Sequence, residues 1–117
     1  SRLREAEYLS LYPNVLLGLQ ADHGFVVLLE PRSEQMTIEH LRLLFVGEAA
    51  RSDAHADARA QVRSAWEGVF LEDVGMVEGM QRGRRSPAHR GGAFSPVMDR
   101  PTHHFHRWVA RQLLADT

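Results

Sequence analysis

Residues 72–83, EDVGMVEGMQRG, place carboxylates in a run whose apolar residues recur at helical spacing. At about 100° per residue, Val62, Trp66, Val69, Phe70, Met76, Val77 and Met80 all fall within about 60° of the direction of Asp73. Glu72 is rotated about 100° from that direction and Glu78 about 140°, so both reach solvent or a helix edge. Asp73 is therefore expected at the centre of a buried stripe, where an uncompensated carboxylate is costly and calls for a dedicated partner. Three partners answer that need. One is an Arg or backbone group in an ion pair or hydrogen bond, which the pattern alone favours. Another is a substrate proton, with Asp73 as general acid or base. The third is a metal: a single carboxylate on an apolar helix face suits a site of two His and one carboxylate that leaves iron(II) with open positions.

Seven histidines are available, and THHFHRW at 102–108 is the obvious cluster. On a helix His103 and His106 lie about 60° apart and could share a metal, whereas His104 points to a different side. Their default reading is polar: His106 flanks the Phe105, Val109, Leu113 stripe and is expected as a hydrogen-bonded, half-buried imidazole. His23 falls in a turn, His40 in a strand, His55 ahead of the helix body and His89 in a loop, and none has a spacing that demands a metal.

The Arg-rich exit QRGRRSPAHRGG could contact an anion or nucleic acid, but it lacks interleaved aromatics and adjoins no phosphate-loop motif. Arg82, Arg84 and Arg85 are instead expected to complement the helix C-terminus and pair with nearby carboxylates. Trp66 and Trp108 are expected in or beside the core rather than stacked on a ligand.

The elements that must position these residues fall into three parts. LYPNVLLGLQ (11–20), GFVVLLEP (24–31) and MTIEHLRLLFVG (36–47) are aliphatic or β-branched runs separated by short turns, which predicts a three-strand antiparallel meander over about 11–47. Pro13 suggests that the first strand begins irregularly or lies at an edge. A long helix follows over about 53–83, capped by Ser52 or Asp53 and stopped by Gly83 and Pro87. Gly68, Gly75 and Gly79 each cost up to about 1 kcal/mol there relative to Ala, which implies close packing or a bend. A Gly, Pro and Ser-rich loop covers 84–101, and Pro101-Thr102 opens a terminal helix over about 102–115. A sheet crossed by a long helix is an α+β layer architecture.

Composition sets the outer bounds. The chain has 117 residues, a formal charge of −1, 44% hydrophobic and 25% charged residues, which fits a modest soluble domain or a piece of a larger one. That charge gives no general pull toward nucleic acid or an anionic membrane, and no apolar run approaches the roughly 20 residues of a membrane span. Without cysteine, these residues alone build no disulfide, thiolate metal site or iron–sulfur cluster. A cytoplasmic location is the expectation. All 14 basic residues are Arg, for which codon bias is the preferred explanation over anion binding.

The run WEGVFLEDVGMVEGMQRG followed by GGAFSPVMDRPTHHFHRWV resembles the C-terminal part of the catalytic domain of Rieske non-haem iron oxygenases, the ring-hydroxylating dioxygenase alpha subunits, and of their relatives acting on quaternary amines. In that family a long helix carries Trp, an acidic pair, a Glu and a Gln-x-Gly; Trp66, Glu72-Asp73, Glu78 and Gln81-Arg82-Gly83 match. The second acid of the pair is the family's carboxylate ligand to mononuclear iron, and that position falls on Asp73. The segment LYPNVLLGLQADHGFVVLLEP is similar to sheet strands of the same domain, so the resemblance spans most of residues 10–110.

The resemblance implies a helix-grip (Bet v 1/START-like) fold, of which residues 1–117 would be the C-terminal portion. It implies mononuclear Fe(II) held by Asp73 and two His absent from this chain, and a Rieske 2Fe-2S cluster in an N-terminal domain. Electrons would come from NAD(P)H through a reductase or ferredoxin, often across a subunit boundary in a homotrimer. O2 and a small-molecule substrate, aromatic or quaternary-amine-like, would meet at the iron, in aromatic hydrocarbon catabolism or a related hydroxylation or dealkylation, with no role for nucleic acid or a membrane. Phe70, Val77 and Phe94 are candidate pocket walls. The segment alone is expected to be inactive. The competing classes are a non-catalytic helix-grip small-ligand-binding module and a structural or partner-binding domain.

Overall fold

The computed structural model describes residues 6–115, which divide after Arg82 into two compact units. The first is an antiparallel sheet of four strands in the order β1 (Glu7–Leu11), β2 (Val15–Leu19), β3 (His23–Ser33) and β4 (Met36–Phe45), followed by most of a 29-residue helix, α1 (Ala56–Arg84). The second contains the end of α1, a loop and α2 (Arg100–Ala115). The α+β class and the sheet-plus-long-helix arrangement of a helix-grip domain are thus present.

The sheet has one strand more than the sequence predicts. Glu7–Leu11 pairs with Val15–Leu19, and Pro13 sits in the turn between them, where its missing N–H interrupts no ladder. The run taken as one strand over 11–20 is therefore a hairpin turn plus β2. Asn14 ties this turn to the next strand: its side-chain amide donates to the Leu29 carbonyl at 2.9 Å, and its own carbonyl accepts from Leu29 N–H at 2.9 Å. In the β3–β4 hairpin Phe25 pairs with Leu43, Val27 with Leu41 and Leu29 with Glu39.

Strand alternation sorts the two faces. Phe25 and Val27, at 5% and 0% exposure, are the buried large apolar residues among those described, and Phe25 faces α1. Gly18 lies beneath Phe25, and a Cβ there would land on the ring; the glycine is what lets the ring lie flat on β2. The opposite face presents Leu19, Leu28 and Leu44 to solvent, with Glu30 accepting from Arg32 at 2.9 Å and lying 2.8 Å from His40 Nε2.

Between sheet and helix, Gly47 turns the chain at a φ of +64°, a conformation L side chains rarely adopt. A 3-10 turn over Gly47–Ala50 and another over Asp53–His55 lead into α1, and Ser52 Oγ accepts from Ala54 N–H at 3.2 Å to cap the second. The cap therefore belongs to the 3-10 turn, and α1 starts at Ala56 rather than 53. Arg59 fastens this entry by donating to the carbonyls of Ala49 at 2.8 Å and Ser52 at 2.9 Å. α1 runs unbroken through its glycines, and a Cβ at Gly68 or Gly75 would meet nothing within 4 Å. The close packing expected of them is absent among the described residues.

In the second unit Asp99 Oδ2 accepts from Ser95 N–H at 2.7 Å, and the Asp99 carbonyl takes the first helical bond of α2 from His103 N–H at 2.8 Å. Pro101 occupies the first turn of α2, where a missing N–H costs no helical bond.

Candidate functional site: the Asp73 face of the long helix

The helix stripe behaves differently along its length. Val62, Trp66 and Phe70 are half-buried, the two rings packing on Phe25 of the sheet. Phe25 is the hub of an aromatic cluster: its ring centroid lies 4.4 Å from that of Trp66, 5.6 Å from that of Phe70 and 6.2 Å from that of Tyr8. These tilted and edge-on contacts add to area burial.

A polar chain joins the same cluster. Trp66 Nε1–H donates to His23 Nε2 at 2.7 Å, and His23 Nδ1 lies 2.7 Å from Asp22 Oδ1. Indole nitrogen only donates, so His23 Nε2 must be the acceptor, and the ring hydrogen is on Nδ1, facing the Asp22 carboxylate. His23 is not in the turn but opens β3, and its side chain is only 13% exposed. Sequence reasoning missed it; the adjacent Asp22-His23 pair is the local signal, but the partner lies 43 residues away.

Beyond Phe70 the stripe continues through Asp73, Val77 and Met80, all exposed, with Val77 at 61%. The expectation that Asp73 is buried is corrected. A helical wheel finds a residue's azimuth, but azimuth becomes burial only where another element covers it, and no described side chain covers this stretch. Asp73 also has no hydrogen bond or ion pair among the described residues, so the ion-pair reading finds no partner there. The off-stripe Glu78 does, lying 3.8 Å from Arg82, a solvent-exposed pair of small energetic value. Arg63 and Glu67 form a similar exposed pair at 2.8 Å, in which the hydrogen bond to Glu67 holds the Arg63 guanidinium above its ordinary pKa.

Farther along, Gln81 Nε2 donates to the Glu34 carbonyl in the β3–β4 turn at 3.1 Å. Asp73 thus lies between two hydrogen bonds from α1 to opposite ends of one hairpin.

The remaining candidates separate. Phe70 is packed in the aromatic cluster and Val77 is open. Phe94 lies in the second unit, its ring centroid 4.9 Å from that of His103 and 5.1 Å from that of His106. His103 and His106 are both exposed, so the half-buried imidazole expected at His106 is also corrected: α2 presents both rings to Phe94 and solvent. Trp66 and Trp108 are half-buried, matching their reading as packing residues. A shallow depression of about 630 Å³ lined by Phe45, Gly47, Glu48, Ala50, Arg51 and Ser52 shares no residue with the Asp73 stripe.

Among the described residues no three His, Cys, Asp or Glu side chains come together to hold a metal ion. Asp73 fits as one oxygen ligand, being accessible and unpaired, in a site completed by donors from elsewhere. No helix among the described residues is long and apolar enough to cross a membrane.

Comparison with known proteins places this helix in context. The model of the family described as ring hydroxylating alpha subunit (catalytic domain) matches residues 1–115. Choline monooxygenase, chloroplastic, of Arabidopsis thaliana is 30% identical over 105 residues, covering 87% of this chain and 23% of the relative. The protein of the same name from Beta vulgaris is 27% identical over 113 residues, covering 93% and 24%, and that from Spinacia oleracea 38% over 47 residues, covering 40% and 11%. The chain therefore spans about a quarter of the length of the first of these relatives. No solved structure matches it. A match across nearly the whole chain, over a sheet and long helix of the α+β kind, establishes that the chain belongs to the ring-hydroxylating oxygenase alpha-subunit family, within its catalytic domain.

Proposed function

We propose that residues 1–117 form the C-terminal portion of the catalytic domain of a Rieske-type oxygenase, and that Asp73 is the carboxylate ligand of its mononuclear iron(II). The observation that carries this reading is an unpaired, accessible carboxylate on the one helix face that also seats the helix on the sheet. It stands in the sequence frame Trp66, Glu72-Asp73, Glu78, Gln81-Arg82-Gly83, inside the matched family region.

Asp73 would supply a hard oxygen donor and negative charge, and two His from outside the described residues would complete a facial set. Iron, when bound there, supplies redox activation of O2. The chain's own residues orient and line the site: Trp66 and Phe70 hold α1 on Phe25, while Val77 and Met80 give the Asp73 neighbourhood apolar surface for an organic substrate. The names of the relatives favour a quaternary-amine-like substrate over an aromatic one. The reading includes a Rieske 2Fe-2S cluster reduced by NAD(P)H through a reductase or ferredoxin, a trimeric assembly and a cytoplasmic location.

The test is anaerobic iron(II) titration of the intact protein beside Asp73→Ala and Glu72→Ala. Wild type and Glu72→Ala should bind one mononuclear iron beyond the cluster, and Asp73→Ala should bind it at least about tenfold more weakly. Equal affinity in wild type and Asp73→Ala would overturn the assignment.

A further inference from the structure

Apolar packing fixes the roll of a helix on a sheet less sharply than hydrogen bonds do, since these set angle as well as distance. Roll matters at Asp73. At the helix surface, about 5–6 Å from the axis, a 20° roll displaces a side-chain atom by roughly 2 Å. Metal–ligand distances tolerate only about 0.2 Å. Nothing described packs over Asp73 to oppose such a roll, and Gly68 and Gly75, with open space at both Cβ positions, flank it with conformationally permissive backbone.

Two directional contacts do oppose it. Trp66 lies seven residues before Asp73 and about 20° away in azimuth, roughly 10 Å along the axis; Gln81 lies eight residues after it, roughly 12 Å along. Trp66 donates to His23, the first residue of β3, and Gln81 donates to the carbonyl of Glu34 in the turn that ends the same hairpin. Asp73 is nearly midway between them. The first contact is itself braced, because Asp22 fixes the His23 ring from its other nitrogen and His23 is largely enclosed.

We propose that the Trp66–His23 and Gln81–Glu34 hydrogen bonds form a two-point device that sets the roll of α1 and so the direction in which Asp73 is presented, with His23 as its principal positioning residue. The inference rests on the reading of Asp73 as an iron ligand and adds to it the residues of this chain that aim the ligand.

The test uses the intact protein, the variants His23→Leu, His23→Gln, Gln81→Ala and Asp73→Ala, and Trp66→Phe for assignment. The readouts are the indole N–H resonance of Trp66, identified by its loss in Trp66→Phe, and anaerobic iron(II) affinity. His23→Leu removes the acceptor and should shift the indole resonance and weaken iron(II) binding about tenfold, the lower end of what a lost supporting contact costs. His23→Gln, whose amide oxygen can accept from the indole, should restore both. Gln81→Ala should weaken iron(II) binding while leaving the indole resonance in place. A shifted resonance with unchanged affinity in His23→Leu, or no recovery in His23→Gln, while Asp73→Ala still loses iron, overturns the positioning role alone. Unchanged affinity in Asp73→Ala overturns the iron reading and the positioning role together. If His23→Leu does not fold, Gln81→Ala decides, and wild-type affinity in it overturns the device.

Discussion

The two halves of α1 carry one stripe but use it differently. Between Val62 and Phe70 the stripe is half-buried at Val62, Trp66 and Phe70 and exposed at Val69, with Trp66 and Phe70 set around Phe25. From Asp73 to Met80 the same azimuth is exposed, and its carboxylate has no partner among the described residues. Continuity of pattern does not mean continuity of role: the first half is an anchor for the fold, and the second leaves its side chains open to solvent. A helix packed on the sheet along one half and tied again by the Gln81–Glu34 hydrogen bond beyond its open stretch is suited to presenting a ligand, because its geometry is set where chemistry does not intrude.

The comparison breaks most severely at the hub. Phe25→Ala should destabilise the protein by about 3–5 kcal/mol in a denaturant melt, since it empties the site that Trp66, Phe70 and Tyr8 surround. Phe70→Ala, at the end of the anchoring half, should cost about 1–3 kcal/mol because its ring is only half-buried. Gly68→Ala sharpens the contrast with the opposite sign: its Cβ meets nothing, so helix propensity should raise stability by about 0.5–1 kcal/mol. Val77→Thr, on the same stripe as Phe70 but open, should change stability by less than about 0.5 kcal/mol.

Sequence patterns carried the α+β class because short turns between aliphatic runs leave few options other than an antiparallel meander, and because a helical stripe persists across many turns. They fail at β1, where Pro13 suggests an irregular or edge start to a single strand and instead lies in the turn joining two. The glycines misled for a related reason: a glycine signals permission for close approach, not the presence of a neighbour. The azimuth of Asp73 was legible from helical geometry alone, whereas its exposure was not, since cover depends on elements distant in sequence. The Trp66–His23 bond was hidden by the same distance, and His23 looked like an ordinary turn residue.

On the proposed reading Asp73 serves a metal and not the fold. The most direct test is the melting temperature of Asp73→Ala in the intact protein, with the iron(II) site emptied and then refilled anaerobically. Asp73→Ala should show an emptied-state melting temperature equal to or slightly above wild type and lose the rise that iron(II) gives wild type, because a ligand stabilises only a state that binds it. A fall in the emptied-state melting temperature with the iron(II)-dependent rise intact would show that Asp73 belongs to the structure and would contradict the account.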